Sequence, residues 1–120
     1  MKIAVTGASG FIGRHVVSAA TAAWHEVVAP NRQNADNPDF WRMFTGCDVV
    51  CHLAAYVPDL MADMHPQTFR DCFEGNVLFT TKVLRASELA GVKRFVNFGT
   101  GQAYAVHCDY PDESAPLWGS

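Results

Sequence analysis

The 120 residues carry a formal net charge of −3, with 18% charged and 49% hydrophobic side chains. This is the balance of a single globular domain with a modest core, and it excludes a disordered chain. No basic stripe is present to neutralise phosphates, and no apolar run approaches the ~18 residues a membrane span needs, so neither nucleic acid nor membrane is expected as a main partner.

The chain opens on Lys2-Ile3-Ala4-Val5-Thr6, a short apolar run stopped by Gly7, which reads as a buried strand. With no leader segment ahead of it, the expected location is cytoplasmic. Ile12, Val16, Ala20 and Ala23 then recur at helical spacing and predict a helix packed on the sheet. Glu26 to Ala29 reads as a second strand, closed by Pro30 and Asn31. A polar, turn-rich stretch follows. Asp36-Asn37-Pro38 looks like a helix entry, Phe40, Trp41 and Phe44 its body and Gly46 its stop.

Asp48 to Ala55 reads as the next buried strand, and residues 56–73 as a loop with some helix. From Asn76 to Ala90 the helical period returns, with Val77, Thr80, Leu84 and Ser87 on one face and Gly91 as the stop. Arg94 to Phe98 forms the last strand, followed by Gly99-Thr100-Gly101. Strand and helix alternate throughout, which predicts a parallel sheet with right-handed crossovers and helices on both faces. The link between the second strand and the Asp48 strand is too short for a full extra strand, so a third strand of the usual pattern is shortened or missing. Trp24, Trp41, Phe69 and Phe73 read as core or interface. Cys47, Cys51, Cys72 and Cys108 form no Cys-x-x-Cys pair and read as reduced thiols. The pairs Cys51-His52 and His107-Cys108 are too few and too scattered for a metal site.

The chemistry concentrates in Gly7-Ala8-Ser9-Gly10-Phe11-Ile12-Gly13, placed between the first strand and the first helix. Gly7 permits a tight turn out of the strand, Gly10 a close approach of backbone to a pyrophosphate, and Gly13 close helix packing. A helix start there offers free N–H groups and a partial positive charge to phosphates. The fold class is therefore α/β, a Rossmann-type doubly wound parallel sheet.

The Gly-x-x-Gly-x-x-Gly spacing, the run Asp48-Val-Val-Cys-His-Leu-Ala-Ala55, Asn76-Val77 with Thr80, and Gly91-Val-Lys-Arg-Phe-Val96 together resemble the extended short-chain dehydrogenase/reductase family, which includes the NAD-dependent epimerases and dehydratases of nucleotide sugars. The match runs from Met1 to about Pro116 and covers the N-terminal part of a family member. It implies that residues 1–120 form an NAD(P)-binding domain, incomplete at its C-terminal end. By resemblance Gly7, Gly10, Phe11, Ile12 and Gly13 line the pyrophosphate, and Leu53, Ala54 and Ala55 wall the nicotinamide ribose. Asn31 stands where the family often has an acidic residue on the adenosine ribose. A neutral amide beside the Arg32 guanidinium suits a 2′-phosphate better, which favours NADP over NAD.

Thr100 maps to the family's Ser or Thr that holds the substrate oxygen during hydride transfer. The family's acid/base pair is a Tyr four residues before a Lys. Tyr56, Tyr104 and Tyr110 are followed at that distance by Leu60, Cys108 and Ser114, and the pair is expected beyond Ser120. The implied function is an NAD(P)-dependent epimerase, dehydratase or reductase acting on a sugar nucleotide or a similar hydroxyl/carbonyl substrate, with the 120 residues inactive alone. The alternative is a non-catalytic NAD(P)-binding sensor or regulatory module. Expected partners are the dinucleotide, a small-molecule substrate and a second copy of the chain, since an open sheet edge predicts marginal stability and homodimerisation.

Overall fold

The computed structural model describes residues 1–59, 65–100, 103–104 and 112–117. His107, Cys108, Tyr110, Gly101 and Leu60 of the sequence reading lie outside them. The elements are β1 (Lys2–Thr6), α1 (Gly13–Ala22), β2 (Glu26–Val28), a 3-10 helix (Phe40–Phe44), β3 (Val49–His52), α2 (Pro66–Phe73), a π-turn (Glu74–Leu78), α3 (Phe79–Leu89) and β4 (Arg94–Asn97). The four strands form one parallel sheet in the order β2-β1-β3-β4. This is the α/β, Rossmann-type arrangement the alternation predicts. Among the described residues no strand lies between β2 and β3, so β2 is an edge.

The strands alternate between two faces of the sheet. Ala4 and Val50 face the same side and pack with Phe40 and Phe44 of the 3-10 helix and Phe79, Val83 and Ala86 of α3. Phe40 and Phe44 meet edge to face, 5.1 Å between ring centres. Helix α1 packs on β1 and β2.

Two predicted helix faces are rotated from what periodicity indicated. On α1 the buried residues are Gly13 and Ala20, while Ile12 and Ala23 are exposed. On α3 they are Phe79, Val83, Ala86 and Ser87; Val77 and Leu84 point outward. The second difference is one of face: Val77 and Leu84, seven positions apart, share the outward side, while Phe79, Val83 and Ala86 form the buried stripe. Trp24, Phe69 and Phe73 are exposed and contribute nothing to the core, whereas Trp41 packs against it. Cys47, Cys51 and Cys72 are free thiols. Burial raises the pKa of Cys47 and Cys51, which keeps both as unreactive thiols.

Candidate dinucleotide site

Parallel pairing brings the C-terminal ends of β1, β3 and β4 to one edge of the sheet, with Thr6 opposite His52 and His52 opposite Asn97. Beyond that edge lie Gly7, Leu53 and, three residues past β4, Thr100. Open parallel sheets bind ligands in the crevice at this end.

The glycine turn is compact. Gly7 adopts φ +70°, and a Cβ there would stand 2.7 Å from the Ala54 nitrogen. A Cβ on Gly13 would overlap the Gly7 carbonyl oxygen. Gly13 therefore packs against the turn itself, a closer reason for glycine than the helix-on-sheet packing expected of it. Gly10 N–H donates to Gly7 O at 2.9 Å and Arg14 N–H to Gly10 O at 3.1 Å. The amides between them, of Phe11, Ile12 and Gly13, lie at the N-terminal end of α1, where a helix leaves its N–H groups without an intrahelical acceptor. No acidic side chain occupies that first turn. The donor set and the side-chain-free approach fit an anionic diphosphate.

A cleft of about 320 Å³ is lined by Gly7, Ser9, Gly10, Arg32, Leu53, Ala54, Ala55, Tyr56, Gly75 and Phe79. It gathers six of the residues singled out from sequence: Gly7, Gly10, Arg32, Leu53, Ala54 and Ala55. Phe11 and Ile12 are exposed at the start of α1, with the Arg14 guanidinium 5.3 Å from the Phe11 ring centre. Asn31 is absent from the lining. Its Oδ1 accepts from Asn34 N–H at 3.1 Å and its own N–H donates to Asn34 Oδ1 at 3.0 Å, so it closes the turn after β2. Thr100 is exposed, and its carbonyl accepts from Ala103 N–H at 3.2 Å.

Sequence reasoning weighed Tyr56 only for a lysine four positions on, which it lacks. Gly75 sits in the π-turn, where an added Cβ would stand 2.8 Å from Tyr56 Cβ and 3.1 Å from Arg32 Nη1. The missing side chain thus makes room for the Arg32 guanidinium. The next residue, Asn76, clamps the wall. Its Oδ1 accepts from Tyr56 N–H at 2.6 Å and its Nδ2 donates to Tyr56 O at 2.9 Å. No local pattern signals that contact, which joins residues 20 apart.

A second cavity of about 450 Å³ adjoins the first, lined by Arg32, Gln33, Ala35, Asp36, Glu74, Leu78, Phe79 and Lys82. Arg32 and Phe79 border both. Asp36 is held by Lys82 at 2.7 Å, and this hydrogen bond lowers its pKa.

Residues 3–117 match the NAD dependent epimerase/dehydratase family. A 3-beta-hydroxysteroid dehydrogenase of Mycolicibacterium neoaurum is 30% identical over 79% of this chain and 31% of its own length. MoeE5, solved with UDP-glucose and NAD, superposes with a TM-score of 0.73 at 28% identity, covering 88% of this chain and 38% of that one. UDP-glucuronic acid 4-epimerase from Bacillus cereus, solved with UDP-glucuronic acid and NAD, gives 0.79 at 25% identity, covering 98% and 46%. The chain spans about a third of the curated relative and under half of these solved structures. No helix among the described residues is long and apolar enough to cross a membrane. The glycine turn at the mouth of a parallel sheet and the matching family pattern agree, and the chain belongs to the NAD dependent epimerase/dehydratase family.

Proposed function

We propose that the chain is the dinucleotide-binding part of an NAD(P)-dependent epimerase, dehydratase or reductase acting on a sugar nucleotide or a similar hydroxyl/carbonyl substrate, and that it prefers NADP to NAD. The observation that carries the preference is Arg32, standing between the glycine-turn cleft and the adjoining cavity, opposite a glycine. The first turn of α1 would hold the diphosphate, and Arg32, which borders both the cleft and the adjoining cavity, would meet the adenosine ribose. Both carboxylates of the loop after β2 have cationic partners, Asp36 with Lys82 and Asp39 with Arg42 at 3.3 Å, so neither is poised to accept from a 2′-hydroxyl. A guanidinium there favours the 2′-phosphate.

When bound, the nicotinamide supplies two-electron transfer at a hydroxyl or carbonyl carbon. Leu53, Ala54 and Ala55 would form the wall that orients its ribose, and the Thr100 hydroxyl, at the same sheet edge, would hold the substrate oxygen. No tyrosine of the 120 residues has a lysine four positions on, so this chain is expected to bind cofactor without turnover.

Calorimetric titration with NADP and NAD tests the reading. NADP is expected to bind roughly tenfold or more tightly, as one charge-assisted contact contributes about 1.5–3 kcal/mol. Arg32→Gln is expected to erase the difference while leaving NAD affinity nearly unchanged. Equal affinities that Arg32→Gln does not alter refute the NADP preference, and binding of neither dinucleotide refutes the cofactor reading.

A further inference from the structure

Beneath the cleft wall lies a set of polar side chains that the cofactor reading does not use. Thr6 is fully buried and His52 is 3% exposed, both on the α3 side of the sheet. Thr6 Oγ1 lies 2.7 Å from His52 Nδ1, and His52 Nε2 lies 2.8 Å from Thr80 Oγ1. The Thr80 hydroxyl donates to the Asn76 carbonyl at 2.9 Å. Ala54 N–H donates to Thr6 Oγ1 at 3.3 Å.

Proton counting sets the direction at Nε2. A hydroxyl has one proton, and that of Thr80 is committed to Asn76 O, so toward His52 it accepts and Nε2 carries the hydrogen. In a neutral ring Nδ1 is then a bare lone pair, and the Thr6 hydroxyl donates to it while accepting from Ala54. The ring is neutral in this arrangement. Burial, which lowers the His52 pKa, acts in the same sense. The Phe79 and Phe95 rings pack around it, their centres 5.8 and 5.9 Å away. Asn76, the far end of the chain of bonds, is also the residue that clamps Tyr56 through its side chain. The bonds therefore close a circuit: Ala54, Thr6, His52, Thr80, Asn76, Tyr56, and back along the backbone to Ala54.

We propose that His52 is a positioning residue for the dinucleotide cleft: as the Nε2–H tautomer it ties β1 to α3 and, through Thr6 and Thr80–Asn76, holds the Ala54–Tyr56 wall at the width the cofactor requires. The proposal rests on the cleft being the dinucleotide site. A histidine suits the task because its two ring nitrogens, one donor and one acceptor on a rigid plane, bridge two hydroxyls in opposite senses. Fully satisfied buried networks of this kind hold a single geometry, and losing one partner strands the others.

The first test needs no substitution. Long-range proton–nitrogen NMR of the chain at neutral pH is expected to show His52 neutral with its proton on Nε2; an Nδ1–H tautomer or an imidazolium overturns the proposal. The second compares His52→Phe with His52→Gln, whose amide can still donate toward Thr80. In His52→Phe, amide exchange at Ala54 and Tyr56 is expected to accelerate at least about tenfold more than in β2, with dinucleotide affinity falling by roughly tenfold. His52→Gln is expected to recover part of both. Uniform acceleration across the sheet with unchanged affinity shows a merely structural histidine and overturns the proposal. If the unsubstituted chain binds no dinucleotide, the cofactor reading fails by itself, while the tautomer and the local exchange still decide whether the circuit exists. Should His52→Phe fail to fold, Thr80→Val removes the acceptor at the other end and is read in the same way.

Discussion

Helix α1 ends in a Schellman motif built on the wrong residue. Trp24 N–H donates to Thr21 O at 3.0 Å and His25 N–H to Ala20 O at 3.0 Å, with Trp24 at φ 63°. That left-handed position ordinarily belongs to glycine. Helix α3 closes with the same two bonds, Gly91 N–H to Glu88 O and Val92 N–H to Ser87 O, and does so with Gly91 at φ +73°. A side chain at the left-handed position costs about 1–2 kcal/mol. Trp24 is 95% exposed, so its indole recovers almost nothing by burial. Against the strain stands the greater unfolded-state freedom of glycine, about 0.5–1 kcal/mol. Trp24→Gly is therefore expected to stabilise the chain by about 0.5–1 kcal/mol, a rise of roughly 2–4 °C in Tm for a domain of this size. The measurement is thermal and urea unfolding at matched concentrations, with an unchanged m-value. Trp24→Ala keeps the Cβ and is expected to change stability little, while Gly91→Ala, which meets no neighbouring atom, is expected to lose about 1 kcal/mol from φ strain alone. A fall in Tm for Trp24→Gly that is independent of concentration refutes the strain argument. A fall that grows with concentration places the indole in an interface between copies.

Gly13→Ala is expected to disrupt the glycine turn, because its methyl would overlap the Gly7 carbonyl and neither backbone can yield. Loss of dinucleotide binding together with at least about 3 kcal/mol of stability is the expected outcome, measured by calorimetry and urea titration. Gly75→Leu is expected to displace Arg32 and Tyr56 and to weaken cofactor affinity with a smaller effect on Tm, since the turn borders the cleft and not the core. Stability is expected to decline as pH falls below about 6.5. His52 has a lowered folded-state pKa, so below the ordinary imidazole value the unfolded chain takes up a proton that the folded chain refuses, at up to about 1.4 kcal/mol per pH unit. The groups facing the ring, Thr6 from β1, Phe79 and Thr80 from α3 and Phe95 from β4, carry no charge to offset this. In His52→Gln the decline over that interval is expected to flatten.

Much of the architecture follows from local pattern alone. Ile3, Ala4 and Val5 form a short apolar run that ends just before Gly7, and it reads as a strand entering a tight turn. Gly46 and Gly91 mark chain reversals, and both adopt positive φ. Strand and helix alternate, and handedness then compels a parallel sheet, whose C-terminal edge is where open sheets of this kind carry their crevice. Because Gly7, Gly10 and Leu53 to Ala55 are bound to that edge by their place after β1 and β3, sequence alone locates the cleft. Tertiary structure decides what depends on contacts between distant residues. The buried face of α3 is set by the packing of Phe79, Val83 and Ala86 on Ala4, Val50 and the 3-10 helix, contacts that a hydropathy stripe through Val77 and Leu84 does not reveal. Trp24 ends a helix in a conformation that its residue type argues against. Asn31, adjacent to Arg32, pairs with Asn34 to close its own exposed loop, and of the two side chains Arg32 borders the cleft. The circuit through His52 joins Thr6 across 46 positions and Thr80 across 28. Such bonds form only once β1, β3 and α3 are packed, and a hydrogen bond between distant side chains leaves no periodic trace along the chain.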